Sequence, residues 1–209
     1  MLSGLIQDPN MYRRASWQSG KPSRRGIAFL AMLAIGMALA CSAGAANPSE
    51  PAAVAALRAD QTHTAAQLET QAARLRTGTQ DPKFRAWATL AEAEFANDQE
   101  HAEQALAGLD RAIALAEALD LPDLRFVSLI RLSTILVNRG RSKDTEAVLA
   151  KMQAMVEAGD NRRWRALWLH ERGVLQRKLG NFEGARELFL QARSLAKDIG
   201  DSAMEAREL

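Results

Sequence analysis

Slid against itself by 40 residues, the sequence falls into register over its second half. Arg85, Arg125 and Arg165 coincide, each just before an apolar run. Ala93, Ser133 and Gly173 coincide as a small column, and so do Ala105, Thr145 and Ala185. Leu109, Leu149 and Phe189 form a large apolar column, as do Leu115, Met155 and Leu195, and Ala116, Val156 and Ala196 close the set. Gly140 and Gly180 align, with Glu100 in that place in the first copy. A period of this length marks stacked supersecondary units, each too small to bury its own apolar face. The copies run 85–124, 125–164 and 165–204.

The units are helical. Aromatics are 5% of the chain and 40 residues are alanine, a composition that favours helix over sheet. In the third copy Ala185, Leu188, Phe189, Ala192, Leu195, Ala196 and Ile199 trace one helical stripe, with Glu187, Gln191, Ser194 and Asp198 opposite. Ala102, Ala105, Leu106, Leu109, Ala112, Ile113 and Ala116 do the same in the first copy. Gly140 and Gly180 fall where the first helix of a pair must stop, and glycine suits the left-handed residue there. The small column at 93, 133 and 173 lies inside that first helix. There it permits close approach of the partner helix, and packing offsets the helix cost of about 1 kcal/mol at Gly173. Phe126, Val127, Leu129, Ile130, Leu132, Ile135, Leu136 and Val137 leave the first helix of the middle copy almost no polar face, so neighbours must cover it on both sides.

Residues before the array are of two kinds. Residues 52–76 read as an alanine-rich helix anchored by Leu57, Leu68 and Leu75, behind a linker at 47–51. Asp81 followed by Pro82 is a helix start. At 26–40 stand fifteen uncharged, mostly apolar residues, preceded by Arg24-Arg25 and followed by Ser42-Ala43-Gly44-Ala45-Ala46. That order is the signature of a secretory signal peptide over 1–46, with cleavage expected after Ala45 or Ala46, and the mature chain is expected in the periplasm or cell envelope of a bacterium. The stretch is short for a membrane-spanning helix, although one kept as an anchor to Ala46 is the alternative. Ser23-Arg24-Arg25-Gly26-Ile27 partly matches a twin-arginine signal, Ala38-Leu39-Ala40-Cys41 partly matches a lipidation site at Cys41, and Met11 is a second candidate start. Cys41 is the only cysteine, so cleavage after Ala45 leaves no thiol.

The overall charge of +2 belongs to this leader, since 47–209 holds 22 basic and 24 acidic side chains. The basic balance is therefore no argument for nucleic acid. Membrane contact is expected only through the leader or a lipid at Cys41.

The third copy, Gly173-x6-Gly180-Asn181-Phe182-x2-Ala185-x3-Phe189-x2-Ala192, closely resembles a tetratricopeptide repeat. The family's interior glycine corresponds to Gly173, its inter-helix turn to Gly180-Asn181-Phe182, and its second-helix small-large-small set to Ala185, Phe189 and Ala192. The resemblance covers about 82–204. The second copy departs at Ser133, Thr145 and Met152, and the first at Ala93 and Glu100. A period of 40 against the family's minimal 34 implies longer helices. HEAT-type repeats share the period, but they do not account for the Gly-Asn-Phe turn and the alanine column together.

The resemblance implies an all-α, right-handed superhelical solenoid of about three repeats over 82–209, preceded by an N-terminal helix within 47–81. It also implies a concave groove, lined by the first helices of the pairs, that binds a peptide or partner protein. Carried onto this chain, the groove residues are Glu94, Asn97 and Asp98, then Thr134 and Asn138, then His170, Arg177 and Lys178, running from acidic to basic. No cofactor or metal is implied.

Catalytic constellations are not expected. His63, His101 and His170 fall on three separate predicted helices without ligand spacing, and no phosphate loop or nucleophile elbow is present. Trp164 and Trp168, four residues apart, and Trp87 read as packing against the preceding repeat, with an aromatic ligand platform as the other use. Arg162, Arg163, Arg165 and Arg172 read as a solvated face, with an acidic peptide or lipid headgroup as the other use. Ser202 and Glu205 stand in capping-box spacing, so 205–209 opens a fourth repeat. The expectation is a non-catalytic exported interaction scaffold. The alternative is the truncated periplasmic sensor region of a membrane signalling protein, such as a diguanylate cyclase or histidine kinase.

Overall fold

The computed structural model describes residues 54, 55, 57, 65–77 and 80–207. The leader at 1–46 with Cys41, the linker at 47–51, His63 and the last two residues lie outside the described residues.

Among the described residues the chain is all-helical, without a strand. In order come α1 (Ala65–Thr77), α2 (Pro82–Asp98), α3 (Ala102–Ala118), α4 (Pro122–Asn138), α5 (Ser142–Ala158), α6 (Arg162–Lys178), α7 (Phe182–Asp198) and the short α8 (Ser202–Arg207). Val54, Ala55 and Leu57 are also helical, and Val54 and Leu57 are fully buried.

From α2 to α7 each helix has 17 residues and each connector three, so helices begin every 20 residues. The 40-residue period is therefore two equal halves. Helix starts also set the frame three residues ahead of the arginine column, at Pro82, Pro122 and Arg162. The caps explain the offset. The Asp81 side chain accepts from the Lys83 N–H at 2.8 Å, with Pro82 as the first helical residue, and the Asn161 side chain accepts from the Trp164 N–H at 3.1 Å. Asn181 does the same for the Gly184 N–H at 3.0 Å. At α8 the capping-box reading is corrected. The cap is Asp201, whose carboxylate accepts from the Met204 N–H at 3.0 Å, while Ser202 is the first helical residue and Glu205 faces Arg193 at 3.8 Å.

Five of the six connectors from α2 onward close in one way. A single residue takes the left-handed conformation at Glu100 (φ 63°), Asp120 (φ 52°), Gly140 (φ 71°), Gly180 (φ 83°) and Gly200 (φ 72°). The next N–H then reaches a carbonyl five residues back, as from Arg141 to Leu136 at 3.0 Å and from Asn181 to Gln176 at 2.9 Å. This satisfies carbonyls that the helix end leaves open. The connector after α5 is the exception, because Gly159 is extended (φ −137°, ψ 169°) and that closure is not made.

Packing follows the chain. Each helix lies against the next, and α5 against α6 is the loosest such contact between full-length helices. Contacts between alternate helices join α2 to α4 and α4 to α6. Among the described residues none join α3, α5 and α7 to one another. The array is a helical-repeat type of architecture with α4 at its centre. All eight apolar residues named for that helix are buried, and Phe126 and Leu129 fully so. Each large side chain so covered contributes about 1.5–3 kcal/mol.

The small column works as close approach requires. A Cβ on Gly173 would stand 2.6 Å from the Phe189 ring, and one on Gly108 would stand 2.7 Å from the Ala93 Cβ. No helix among the described residues is long and apolar enough to cross a membrane.

Candidate functional site

Three-residue connectors force neighbouring helices antiparallel, so α2, α4 and α6 share one direction. Because these three touch in succession, they form a continuous layer with their C-terminal ends along one edge. Most residues expected in the groove lie on that edge. Asn97 and Asp98 end α2, Asn138 ends α4, and Arg177 and Lys178 end α6, and all five are exposed. Thr134, one turn earlier, is exposed and donates its hydroxyl to the Ile130 carbonyl at 3.1 Å, within its own helix.

The structure places Glu94 and His170 differently from these six. Glu94 is only 10% exposed at its side chain and accepts from Arg131 of α4 at 2.5 Å. Its carboxylate therefore joins two repeats. The His170 imidazole is half-buried and tilted against the Phe189 ring, with centroids 5.5 Å apart, so it packs within the α6–α7 pair. Arg177 reaches over the same ring, 5.8 Å from its centroid, while remaining exposed. The three groups make one small assembly, in which Gly173 admits Phe189 and Phe189 carries His170 and Arg177.

Sequence reasoning missed the polar rungs between the layer's helices. Arg131 reaches α2 through Glu94, and the buried Ser133 hydroxyl donates to the Glu171 carboxylate of α6 at 3.0 Å. Glu171 is itself 7% exposed. The signal was present for Arg131, a charged residue inside an otherwise apolar helix, in one column with Ala91 and Glu171. A charge there needs a partner.

The tryptophans tie α6 to the repeat before it. Trp164 stacks on Phe126, with centroids 4.7 Å apart and planes 8° apart, and the Trp168 indole N–H donates to the Leu149 carbonyl of α5 at 3.1 Å. Trp87 is buried. The arginine cluster is largely compensated. Arg162 meets Asp198 at 3.2 Å, Arg163 meets Asp201 at 3.2 Å, and Arg172 lies 4.8 Å over the Trp168 ring. His101 is corrected from helix to connector. It occupies the position before α3 without a side-chain capping bond, because Glu100 has already turned the chain.

Arg76 of α1 grips Glu92 of α2 through both carboxylate oxygens, and this hydrogen bonding raises the guanidinium above its ordinary value. Among the described residues no three His, Asp or Glu side chains are placed to hold a metal ion. No protein-family model, curated protein or solved structure matches the chain.

Proposed function

We propose that this chain is a tetratricopeptide-type interaction scaffold, exported to the bacterial cell envelope, that binds an extended peptide or partner segment along the α2–α4–α6 layer. The observation that carries this reading is the packing asymmetry. First helices touch first helices while second helices do not, so the layer of first helices is the short, inner side of a bending stack. A preformed inner surface suits a peptide, since little of the protein must be ordered on binding. The signal-like leader supports export, and the Gly173–Phe189 contact with the Gly180-Asn181 turn supports the repeat family.

The exposed edge runs from Asp98 through Asn138 to Arg177 and Lys178. A bound segment would present its basic end to α2 and its acidic end to α6, with Asn97, Thr134 and Asn138 as uncharged hydrogen-bonding groups between. Glu94 and His170 support this surface through Arg131 and Phe189. The test is to select peptides against the full chain from a random library and measure them by fluorescence anisotropy. Reversal at Asp98→Lys, or at Arg177→Glu with Lys178→Glu, should weaken the selected peptides about tenfold or more, while Asp110→Lys on α3 should not. Selected peptides indifferent to the edge and sensitive to Asp110 would sink the reading.

A further inference from the structure

The first repeat contains a cavity of about 300 Å³ between α2 and α3. Its origin lies in the repeat register. Ala96 and Gly108 line it, where the second copy carries the buried Leu136 and Val148. The smaller side chain at 96 leaves the first copy open there, whereas at 108 the missing side chain lets α2 approach, since a Cβ would stand 2.7 Å from the Ala93 Cβ. The volume lies near the lower end of the roughly 300–1,000 Å³ that small-molecule sites occupy.

The lining sorts into floor and rim. Ala93, Ala96 and Gly108 are buried and Phe95 half-buried, which makes one side apolar. His101, Gln104 and Arg111 are exposed and stand at the mouth. Glu92 also lines the cavity, but both its oxygens are bound by Arg76, so its charge is compensated. Arg111 has no ion pair or hydrogen bond with another described residue. Among the described residues the uncompensated charge of the site is therefore positive, beside two further groups able to donate hydrogen bonds.

We propose that this cavity binds a compact organic carboxylate. Its apolar body rests on Phe95, Ala96 and Gly108, and its carboxylate meets the Arg111 guanidinium with donation from His101 or Gln104. The site is separate from the α2–α4–α6 layer: Glu92 and Glu94 are two positions apart, about 200° round the helix. It does not depend on the peptide-binding reading.

The test is amide-resolved NMR of the full chain titrated with benzoate, and with benzyl alcohol and benzylamine as neutral and cationic counterparts. Benzoate at millimolar concentration should give saturable shifts at Ala96, His101, Gln104, Gly108 and Arg111, and benzylamine should not. Arg111→Met should weaken benzoate roughly tenfold or more. Ala96→Leu, which copies Leu136 of the second repeat, should abolish binding by filling the floor. The proposal is overturned if benzoate gives no saturable shift, if its shifts fall elsewhere, or if benzylamine binds equally. Binding unchanged in Arg111→Met overturns it as well. Because Arg111 is exposed, this variant decides the matter even if Ala96→Leu does not fold.

Discussion

At the scale of single residues the informative position is the left-handed one that recurs in the connectors. Glycine holds it at 140, 180 and 200, but Glu100 and Asp120 hold it with side chains. A left-handed residue with a Cβ costs about 1–2 kcal/mol, so Glu100→Gly and Asp120→Gly should each stabilise the chain by about 1 kcal/mol. Thermal unfolding followed by circular dichroism would show it as a higher midpoint, and a lower one would contradict the assigned turn. Gly173 makes the opposite case. Gly173→Ala places a methyl 2.6 Å from the Phe189 ring and should destabilise by about 1–3 kcal/mol, with partial rescue by Phe189→Leu. Gly140, Gly180 and Gly173 were legible because glycine in a helical register has few other uses. Asp120 was not, since the alignment compared residues 40 apart and never 20 apart, where Glu100, Asp120 and Gly140 fall into one column.

At the scale of helices, periodicity located the apolar stripes and Asp81-Pro82 located a start, while ends and pairings needed the structure. Arg131 shows why. Helical spacing says that it lies among apolar neighbours, but not that Glu94, 37 residues earlier, stands 2.5 Å away. The pair is neither fully exposed nor fully buried, with side chains 23% and 10% exposed. A double-mutant cycle of Glu94→Gln and Arg131→Met should thus give a coupling of about 1–2 kcal/mol, between the values typical of surface and buried pairs. Additive single effects would show that the rung does not join the repeats. The α5–α6 junction lacks the common connector closure and is bridged by Trp168, while Trp164 ties α6 to Phe126 of α4. Trp168→Phe removes the indole donor to Leu149, so amide exchange should quicken in α6 and α7 more than in α2 and α3. Uniform quickening would mean that the array opens only as a whole.

At the scale of the whole molecule, the repeat and its all-helical character were readable from composition and a 40-residue shift, because stacked copies must solve the same packing problem. The candidate site was readable only in part. Six of its eight residues fall on exposed faces of the first helices, whereas Glu94 and His170 are engaged within the array, a distinction that depends on residues distant in sequence. The hollow of the first repeat was not anticipated, although Ala96 beside Leu136 carried the signal. The proposed peptide recognition rests on the layering, in which α2, α4 and α6 are successive neighbours and α3, α5 and α7 are not. Spin labels can measure that directly on a Cys41→Ser background. One set of paired labels goes at 98, 138 and 178 and the other at 110, 150 and 190, all exposed and all one repeat apart. Pulsed electron–electron resonance should give shorter distances within the first set than within the second. Equal distances, or shorter ones in the second set, would contradict an inner layer of first helices and the groove with it.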